Sequence, residues 1–200
     1  MSTKAPFVLL VSGGTASGKS TIVEKLITRT GATLLSHDRY YHDVLQPIGH
    51  DYDHPSALDT DRLIHDLTQL RLGQPADLPV YDFATHTRQP ATESCSPSSL
   101  VVVEGILVMN DDRLRALADL CVFVEAPESV RLARRIARDV RNRGRTEAGV
   151  RAQYDSTVKP NHDRFVQPSK QHASLVLDGC APIDHSVSQI VKALPGSVLV

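Results

Sequence analysis

The chain reads as an α/β protein built on a parallel five-stranded sheet with helices on both faces. Three observations predict it. Short apolar runs bounded by turn residues recur along the chain, helical periodicities fall between them, and the first run passes through a GxxxxGKS loop into an amphipathic segment. The runs cover residues 7–11, 33–36, 100–103, 120–124 and 174–177, and their unbroken apolarity suits strands covered on both faces. Ile22, Val23, Leu26 and Ile27 share one helical face after the first run. Leu63, Ile64, Leu67 and Leu70 mark a second helix, with capping oxygens from Asp59, Thr60 and Asp61 at its start. Leu132, Ile136 and Val140 mark a third. Val187, Ile190, Val191 and Leu194 mark the last, with Asp184 placed to cap it.

Two interruptions break the alternation. Residues 78–92, LPVYDFATHTRQPAT, have a strand-like pattern with Pro79 and Pro90, which suits an inserted hairpin or flap and not an interior strand. The polar stretch 42–55 is a second insertion, of a length that usually carries function. With 200 residues, 41% of them hydrophobic, there is material for one such domain, so residues 1–200 are expected to form a single unit.

A formal net charge of -1 gives no global attraction to nucleic acid or to an anionic membrane, so phosphate binding must be local. Cys95, Cys121 and Cys180 are widely spaced and odd in number, as reduced thiols are. No run reaches the roughly 18 to 20 apolar residues that span a bilayer, and no signal-like segment opens the chain. A soluble cytoplasmic protein is the expectation.

The loop itself carries the first chemistry. Gly13, Gly14 and Gly18 remove Cβ atoms that would stop a backbone from curling round an anion, and the following helix points its positive end at the same place. Lys19 is spaced to reach β- and γ-phosphates, and the Ser20 hydroxyl to ligate Mg²⁺. Asp38 and Glu104 follow the second and third apolar runs, at the strand ends where a parallel sheet opens its binding crevice. Two carboxylates beside a triphosphate require a cation between them, so Mg²⁺ held by Ser20, Asp38 and Glu104 is the economical reading. The plainer alternatives are a helix N-cap for Asp38 and a turn acid for Glu104.

RLARRIARDVRNRGR is the second signal. Arg131, Arg134, Arg135 and Arg138 form one helical stripe opposite Leu132, Ile136 and Val140, and such like-charge neighbours cost about 0.2 to 0.5 kcal/mol per pair. Only Asp139 and Glu128 are near enough in sequence to offset this. A solvated basic face is the bland reading, whereas a bound polyphosphate would explain the cost. Arg143 and Arg145 around Gly144 have the composition of a mobile lid, expected over about residues 138–150. His37, His42, His50, His54 and His86 lack metal-site spacing and read as surface or loop polar groups.

The strings GGTASGKST, HDRYYHD, YDHPSALDTDRL, LPVYDFATHTR, VVVEGIL, RLARRIARDVRNRGRT and VQPSK resemble the uridine kinase (uridine-cytidine kinase) family of P-loop kinases, from about residue 7 to about 170. The resemblance implies a P-loop NTPase fold, a nucleoside-binding flap, an arginine-rich lid and transfer of the γ-phosphoryl of ATP to the 5′-hydroxyl of uridine or cytidine. It implies that Asp38 is the base, near Mg²⁺ with Ser20 and Glu104. Gly13, Gly14, Thr15, Ala16, Ser17, Gly18, Lys19, Ser20 and Thr21 would hold ATP, and Arg138, Arg143 and Arg145 would close over its phosphates. Asp53 would accept from the ribose hydroxyls, assisted by Arg135 and Gln153. Tyr41, Tyr81, Phe83 and Ile106 would wall the pyrimidine. His86 would read the base edge, donating to a uracil oxygen or accepting from a cytosine amino group, so both nucleosides should be substrates. His37 and Arg39 depart from the residues usual beside the base, which bears on the tuning of Asp38. Family members are commonly homotetramers, and the resemblance admits a homo-oligomer here. The rival readings are another small-molecule kinase, phosphoribulokinase-like or pantothenate kinase-like, and a nucleotide-dependent regulatory switch.

Overall fold

In the computed structural model, which describes residues 5–43 and 51–198, β1 (Phe7–Gly13) occupies the centre of a fully parallel five-stranded sheet. In chain order there follow α1 (Lys19–Thr30), β2 (Thr33–Ser36), α2 (Thr60–Arg71), β3 (Ala76–Asp82), β4 (Thr87–Cys95), β5 (Leu100–Glu104), α3 (Asp112–Leu117), β6 (Leu120–Glu125) and α4 (Glu128–Arg143). An irregular helical stretch from α5 (Glu147–Gln153) leads to β7 (Leu175–Asp178) and the last helix, α8 (Ile183–Ala193). The strand order is β2-β5-β1-β6-β7, and β3 and β4 form a separate antiparallel pair.

Period-two alternation places successive side chains on opposite faces, and both faces are covered. Val8 and Leu10 of β1, with Val101 and Val103 of β5, pack against Leu63, Leu67 and Leu70 of α2 and Leu114 of α3. Leu9 and Val11, with Val102, Val122 and Val124, meet Ile22, Val23 and Leu26 of α1 and Val187 and Ile190 of α8. Asp59 caps α2, its carboxylate accepting from Arg62 N at 3.1 Å. Asp184 does not cap α8: Pro182 holds the cap position, and Asp184 lies in the first turn, 3.4 Å from Lys25 Nζ, where its charge complements the helix dipole. Cys95, Cys121 and Cys180 are free. Among the described residues no helix is long and apolar enough to cross a membrane.

The hairpin is longer than the sequence pattern indicates, running from Ala76 to Cys95, with its two prolines tolerated because the pair has no third strand to serve. The expected lid is mostly helix: α4 continues to Arg143, Gly144 closes it with a left-handed φ of 62°, and the Thr146 hydroxyl caps α5. Between residues 147 and 172, Pro160 and Pro168 each remove a donor from the α-helical hydrogen-bond ladder. The chain stays helical by widening. Lys159 N reaches Tyr154 O and Gln167 N reaches His162 O, each five residues back, and a proline follows each of these donors. The short α6 (Lys159–Asn161) and α7 (Gln167–Ser169) separate and end these wide turns. Of the polar stretch 42–55, residues 44–50 and with them His50 lie outside the described residues; its flanks meet in a bridge between Tyr41 and Leu58.

The turn after β7 presses on the loop after β1. Gly179 N donates to Glu125 O at 2.7 Å, and a Cβ on Gly179 would lie 2.1 Å from Ser17 O. Gly179→Ala is therefore expected to displace the loop, costing about 1–3 kcal/mol in stability and weakening ATP binding measured by calorimetry. Unchanged melting temperature and ATP affinity would contradict this packing.

Candidate active site

The GxxxxGKS loop leaves β1 between two neighbours that only glycine admits. A Cβ on Gly13 would stand 2.4 Å from Val124 O, and one on Gly14 would meet the Arg131 guanidinium at 2.8 Å. Ala16 and Gly18 take left-handed φ values of 56° and 105°, Ser17 N donates to Gly14 O at 3.1 Å, and α1 starts at Lys19. The result is a curled backbone ending on a helix N-terminus, the arrangement that binds phosphate. Beside it a cleft of about 560 Å³ is lined by Ala16, Gly18, Thr21, Arg134, Gly179 and Ile183, among others. Arg134 fixes its far wall by donating to Ser17 O and Gly179 O at 3.3 and 2.9 Å.

The carboxylates arrive as the strand ends require. Glu104 ends β5, accepts from Ser20 Oγ at 2.9 Å and lies 3.4 Å from Lys19 Nζ. Asp38 follows β2 in a 3₁₀ turn, His37–Tyr40, close enough to Lys19 and Glu104 to feel both charges. Protein crowding round its carboxyl pushes its pKa up; Lys19 pulls it down, Glu104 pushes it up, and Arg143 and Arg138 pull it down. Asp38 thus feels both the loop lysine and two arginines of the expected lid. A hydroxyl and two carboxylates are hard oxygen donors that fit Mg²⁺, and a cation would relieve the repulsion that Glu104 exerts on Asp38. Arg39 ion-pairs with Glu93 of the hairpin and turns away from the cleft.

His37 corrects the expectation of a surface histidine. It is buried behind Asp38 against Gly105, where a Cβ would come within 2.6 Å of its own, and its Nε2 is 3.5 Å from Thr60 Oγ1. Burial lowers its pKa to about 4, with Asp111 opposing. His37 is therefore neutral beside Asp38 at physiological pH and adds no titrating charge to it.

Two arginines of α4, Arg131 and Arg135, face inward. Arg131, Arg135 and Asp139 are buried while Val140 of the apolar stripe is 43% exposed, the reverse of an ordinary surface helix. Asp139, with no accessible surface, gathers four guanidinium groups: Arg138 at 2.8 Å, Arg145 at 3.4 Å, Arg143 at 3.5 Å and Arg135 at 3.7 Å. Gln153 Oε1 accepts from Arg135 and Arg145 at 3.0 and 2.7 Å, and Arg135 also donates to Thr15 Oγ1 of the loop at 3.0 Å. One carboxylate under four cations leaves a net positive array beside the loop, a receptor for polyanionic phosphate.

An aromatic cluster adjoins Asp38. Tyr41, Tyr81 and Leu107 belong to an apolar cluster with Ile106 and Tyr52 against it. Ring centroids are 5.5 Å apart for Tyr41 and Tyr81 and 5.9 Å for Tyr41 and Tyr52. Phe83 meets the Tyr81 ring edge-on at 5.2 Å but stays more than half exposed at the hairpin tip. Asp53 is buried; that burial raises its pKa to about 6, opposed by Arg135 and reinforced by Asp51 and Asp38. Burial likewise raises the Tyr41 hydroxyl well above its usual value, helped by the charges of Asp38 and Asp53. These mutual influences bring Asp38, Tyr41, Asp53, Tyr81 and Arg135 to one place.

Four supports escaped the sequence reading. Arg88 straps the hairpin to this cluster, donating to Asp59 Oδ2 at 3.0 Å and to the Tyr40 and Tyr41 carbonyls at 3.2 Å. Asn161 donates to both oxygens of Asp51 at 2.7 and 2.6 Å. His162, whose pKa burial and Arg131 lower to about 4, packs against Gly14. Tyr52 meets His86, Oη to Nδ1 at 3.0 Å. Of these, Arg88 and Tyr52 stood inside the quoted strings LPVYDFATHTR and YDHPSALDTDRL, where the pattern itself was the available signal.

Residues 8–184 match the model of the phosphoribulokinase / uridine kinase family. The uridine kinase of Streptococcus pyogenes serotype M5 (strain Manfredo) is 38% identical over 182 residues, covering 87% of this chain and 88% of that one. The uridine kinase of Lactococcus lactis subsp. cremoris (strain MG1363) is 39% identical with the same coverage. In fold, the chain is similar to the structure described as a possible uridine kinase from Bacillus stearothermophilus, with a TM-score of 0.64, 17% identity, and coverage of 89% and 91% of the two chains.

Two outcomes are expected from these charges. Asp139→Asn leaves the arginines without their buried counter-charge and should cost about 3–5 kcal/mol in urea unfolding; a loss within error would remove Asp139 as their anchor. Asp53 binds a proton more tightly folded, near pH 6, than unfolded, near 3.8, so its ionisation costs stability as pH rises through that window. Asp53→Asn should therefore gain stability relative to the parent as pH rises from 3.8 to about 6 and level off above it. A stability difference independent of pH would contradict the buried placement.

Proposed function

We propose that this chain, which belongs to the phosphoribulokinase / uridine kinase family, transfers the γ-phosphoryl group of ATP to the 5′-hydroxyl of uridine and of cytidine, giving UMP and CMP. The observation that carries the reading is the aromatic cluster with a buried carboxylate, Tyr41, Tyr81 and Asp53, beside Asp38, which we read as the nucleoside chamber. A nucleoside needs an aromatic slot for its base, an acceptor for its ribose hydroxyls and a proton acceptor at its 5′-oxygen. Tyr41 with Tyr81, Asp53 and Asp38 are close enough to influence one another's charge, which supports assigning them these three tasks. The curated relatives named uridine kinase support the same acceptor class.

Phosphoryl transfer has a loose, charge-spread transition state, so the protein's work is positioning and electrostatic stabilisation. The backbone from Gly13 to Thr21 holds the triphosphate, with the Lys19 ammonium on its β- and γ-phosphoryl oxygens. Arg138, Arg143 and Arg145 exchange part of their hold on Asp139 for the phosphates. Asp53 accepts from the ribose hydroxyls, with Arg135 and Gln153 assisting, and His86 reads the edge of the base between Tyr41, Tyr81, Phe83 and Ile106. An Asp38 carboxylate oxygen takes the proton of the 5′-hydroxyl, and the upward push on its pKa makes it a better acceptor. Mg²⁺, held by Ser20, Asp38 and Glu104, would supply neutralisation of charge on the phosphoryl oxygens. The hairpin acts as flap and the turn between α4 and α5 as lid; together they keep water from competing with the acceptor. With soluble substrates of this kind, we assign the enzyme to the cytoplasm.

The test is ADP release from Mg²⁺-ATP with no acceptor, uridine, cytidine, thymidine or adenosine. Stimulation by uridine and cytidine alone is expected, and no stimulation by any nucleoside would overturn the reading. Asp38→Asn should keep nucleoside affinity by calorimetry yet lower kcat by about 10²- to 10⁴-fold. Near-parental turnover would remove Asp38 from its role.

A further inference from the structure

One contact in the aromatic chamber is used by none of these steps. Tyr52 Oη lies 3.0 Å from His86 Nδ1, and the two rings are layered with centroids 5.1 Å apart at 33°. Each partner is held by its own supports. Tyr52 follows Asp51, whose carboxylate Asn161 grips twice, and the Tyr52 carbonyl accepts from Tyr41 Oη at 3.2 Å. His86 sits in the hairpin turn with a left-handed φ of 57°, in a loop whose Asp82 carboxylate accepts from Ala84 N at 2.8 Å and whose far strand is strapped by Arg88. The meeting of these two side chains is therefore built from four directions.

Its chemistry has a direction. A phenol is a good proton donor and a poor acceptor, and an unprotonated imidazole nitrogen is a good acceptor. Burial raises the Tyr52 hydroxyl pKa further above its ordinary value, so the proton stays on it throughout the physiological range. Tyr52 then donates to Nδ1, and the neutral ring must carry its own hydrogen on Nε2. A ring with N–H at Nε2 can meet a carbonyl oxygen. Toward an amino group it offers a second donor, and accepting from one would require the ring hydrogen to move to Nδ1 and the phenol oxygen to act as acceptor.

We propose that Tyr52 is a specificity-determining residue: by fixing the tautomer of His86 it biases the chamber toward pyrimidine nucleosides with a 4-oxygen, such as uridine, over those with a 4-amino group, such as cytidine. This rests on His86 reading the base edge, as proposed above. Cytidine remains a substrate, with the lower kcat/KM of the two.

The test pairs a spectrum with a rate. In the parent protein, at about pH 8 and so above the ordinary histidine range, ¹⁵N-detected ring shifts should place the His86 hydrogen on Nε2 with Nδ1 as acceptor. Tyr52→Phe keeps the layered ring and removes only the hydroxyl. It should raise the Nδ1–H population and lower the uridine-to-cytidine ratio of kcat/KM by about 3- to 10-fold, the worth of one net hydrogen bond. Identical ring shifts in parent and variant would overturn the proposal at Tyr52 itself. A changed tautomer with an unchanged ratio would overturn it at its premise, by showing that His86 does not read the base, while leaving the kinase reading to the acceptor panel.

Discussion

The cleft depends on the way β1 ends. Its last residue, Gly13, pairs in register with Val124 of β6, and Val11 two residues earlier pairs with Glu104 at the end of β5. Ser36, the last residue of β2, pairs with the same Glu104. Parallel register thus aligns three strand ends, and from that line leave the phosphate loop, the Glu104 carboxylate and, two residues on, Asp38. Gly105 N donates to Val11 O at 3.2 Å and Ser12 Oγ to Ile106 O at 3.1 Å, which pins the exits of β1 and β5 together. A side chain at position 13 would have to push the Val124 carbonyl away. The distance between a phosphate on the loop and a group at Asp38 is therefore a property of the sheet and not of flexible side chains.

Onto this edge the chain adds the hairpin and the arginine-rich end of α4, each tied in by well-placed charges. The hairpin hangs from Arg88, whose bonds run to the N-cap of α2 and to the carbonyls beside Asp38. The arginines of α4 and the turn beyond it hang from one carboxylate, Asp139. Holding four guanidinium groups on one buried acid stores unused positive charge where a triphosphate would lie. In the function we propose, binding there would exchange part of one anionic partner for another, with the side chains ordered before the ligand arrives.

The sheet was legible because strands buried on both faces leave unbroken apolar runs, and each of the five core strands falls within two residues of its run. The phosphate loop, Asp38 and Glu104 were legible because strand ends and loop chemistry are local. The stretch 147–172 was not: its prolines signal a break, and the wide turns that absorb them depend on hydrogen bonds no short pattern displays. In the sequence Asp139 is only one of two acids, with Glu128, near enough to offset the arginine stripe; its burial, which makes it a hub for four guanidinium groups, is set by packing. His37 read as a loop histidine for the same reason, since only the packing of Gly105 and Thr60 around it makes it a neutral core residue. The resemblance supplied roles for Asp53 and His86 that spacing alone could not.

In the function we propose, the sheet edge delivers a phosphoryl group to a 5′-hydroxyl at Asp38. Identifying by ³¹P–¹H correlation the product formed from uridine and Mg²⁺-ATP tests it most directly. The expected result is coupling of the new phosphorus to the 5′-methylene protons, in amount equal to the ADP formed. Phosphate on another ribose position, or inorganic phosphate in place of a nucleotide, would contradict it.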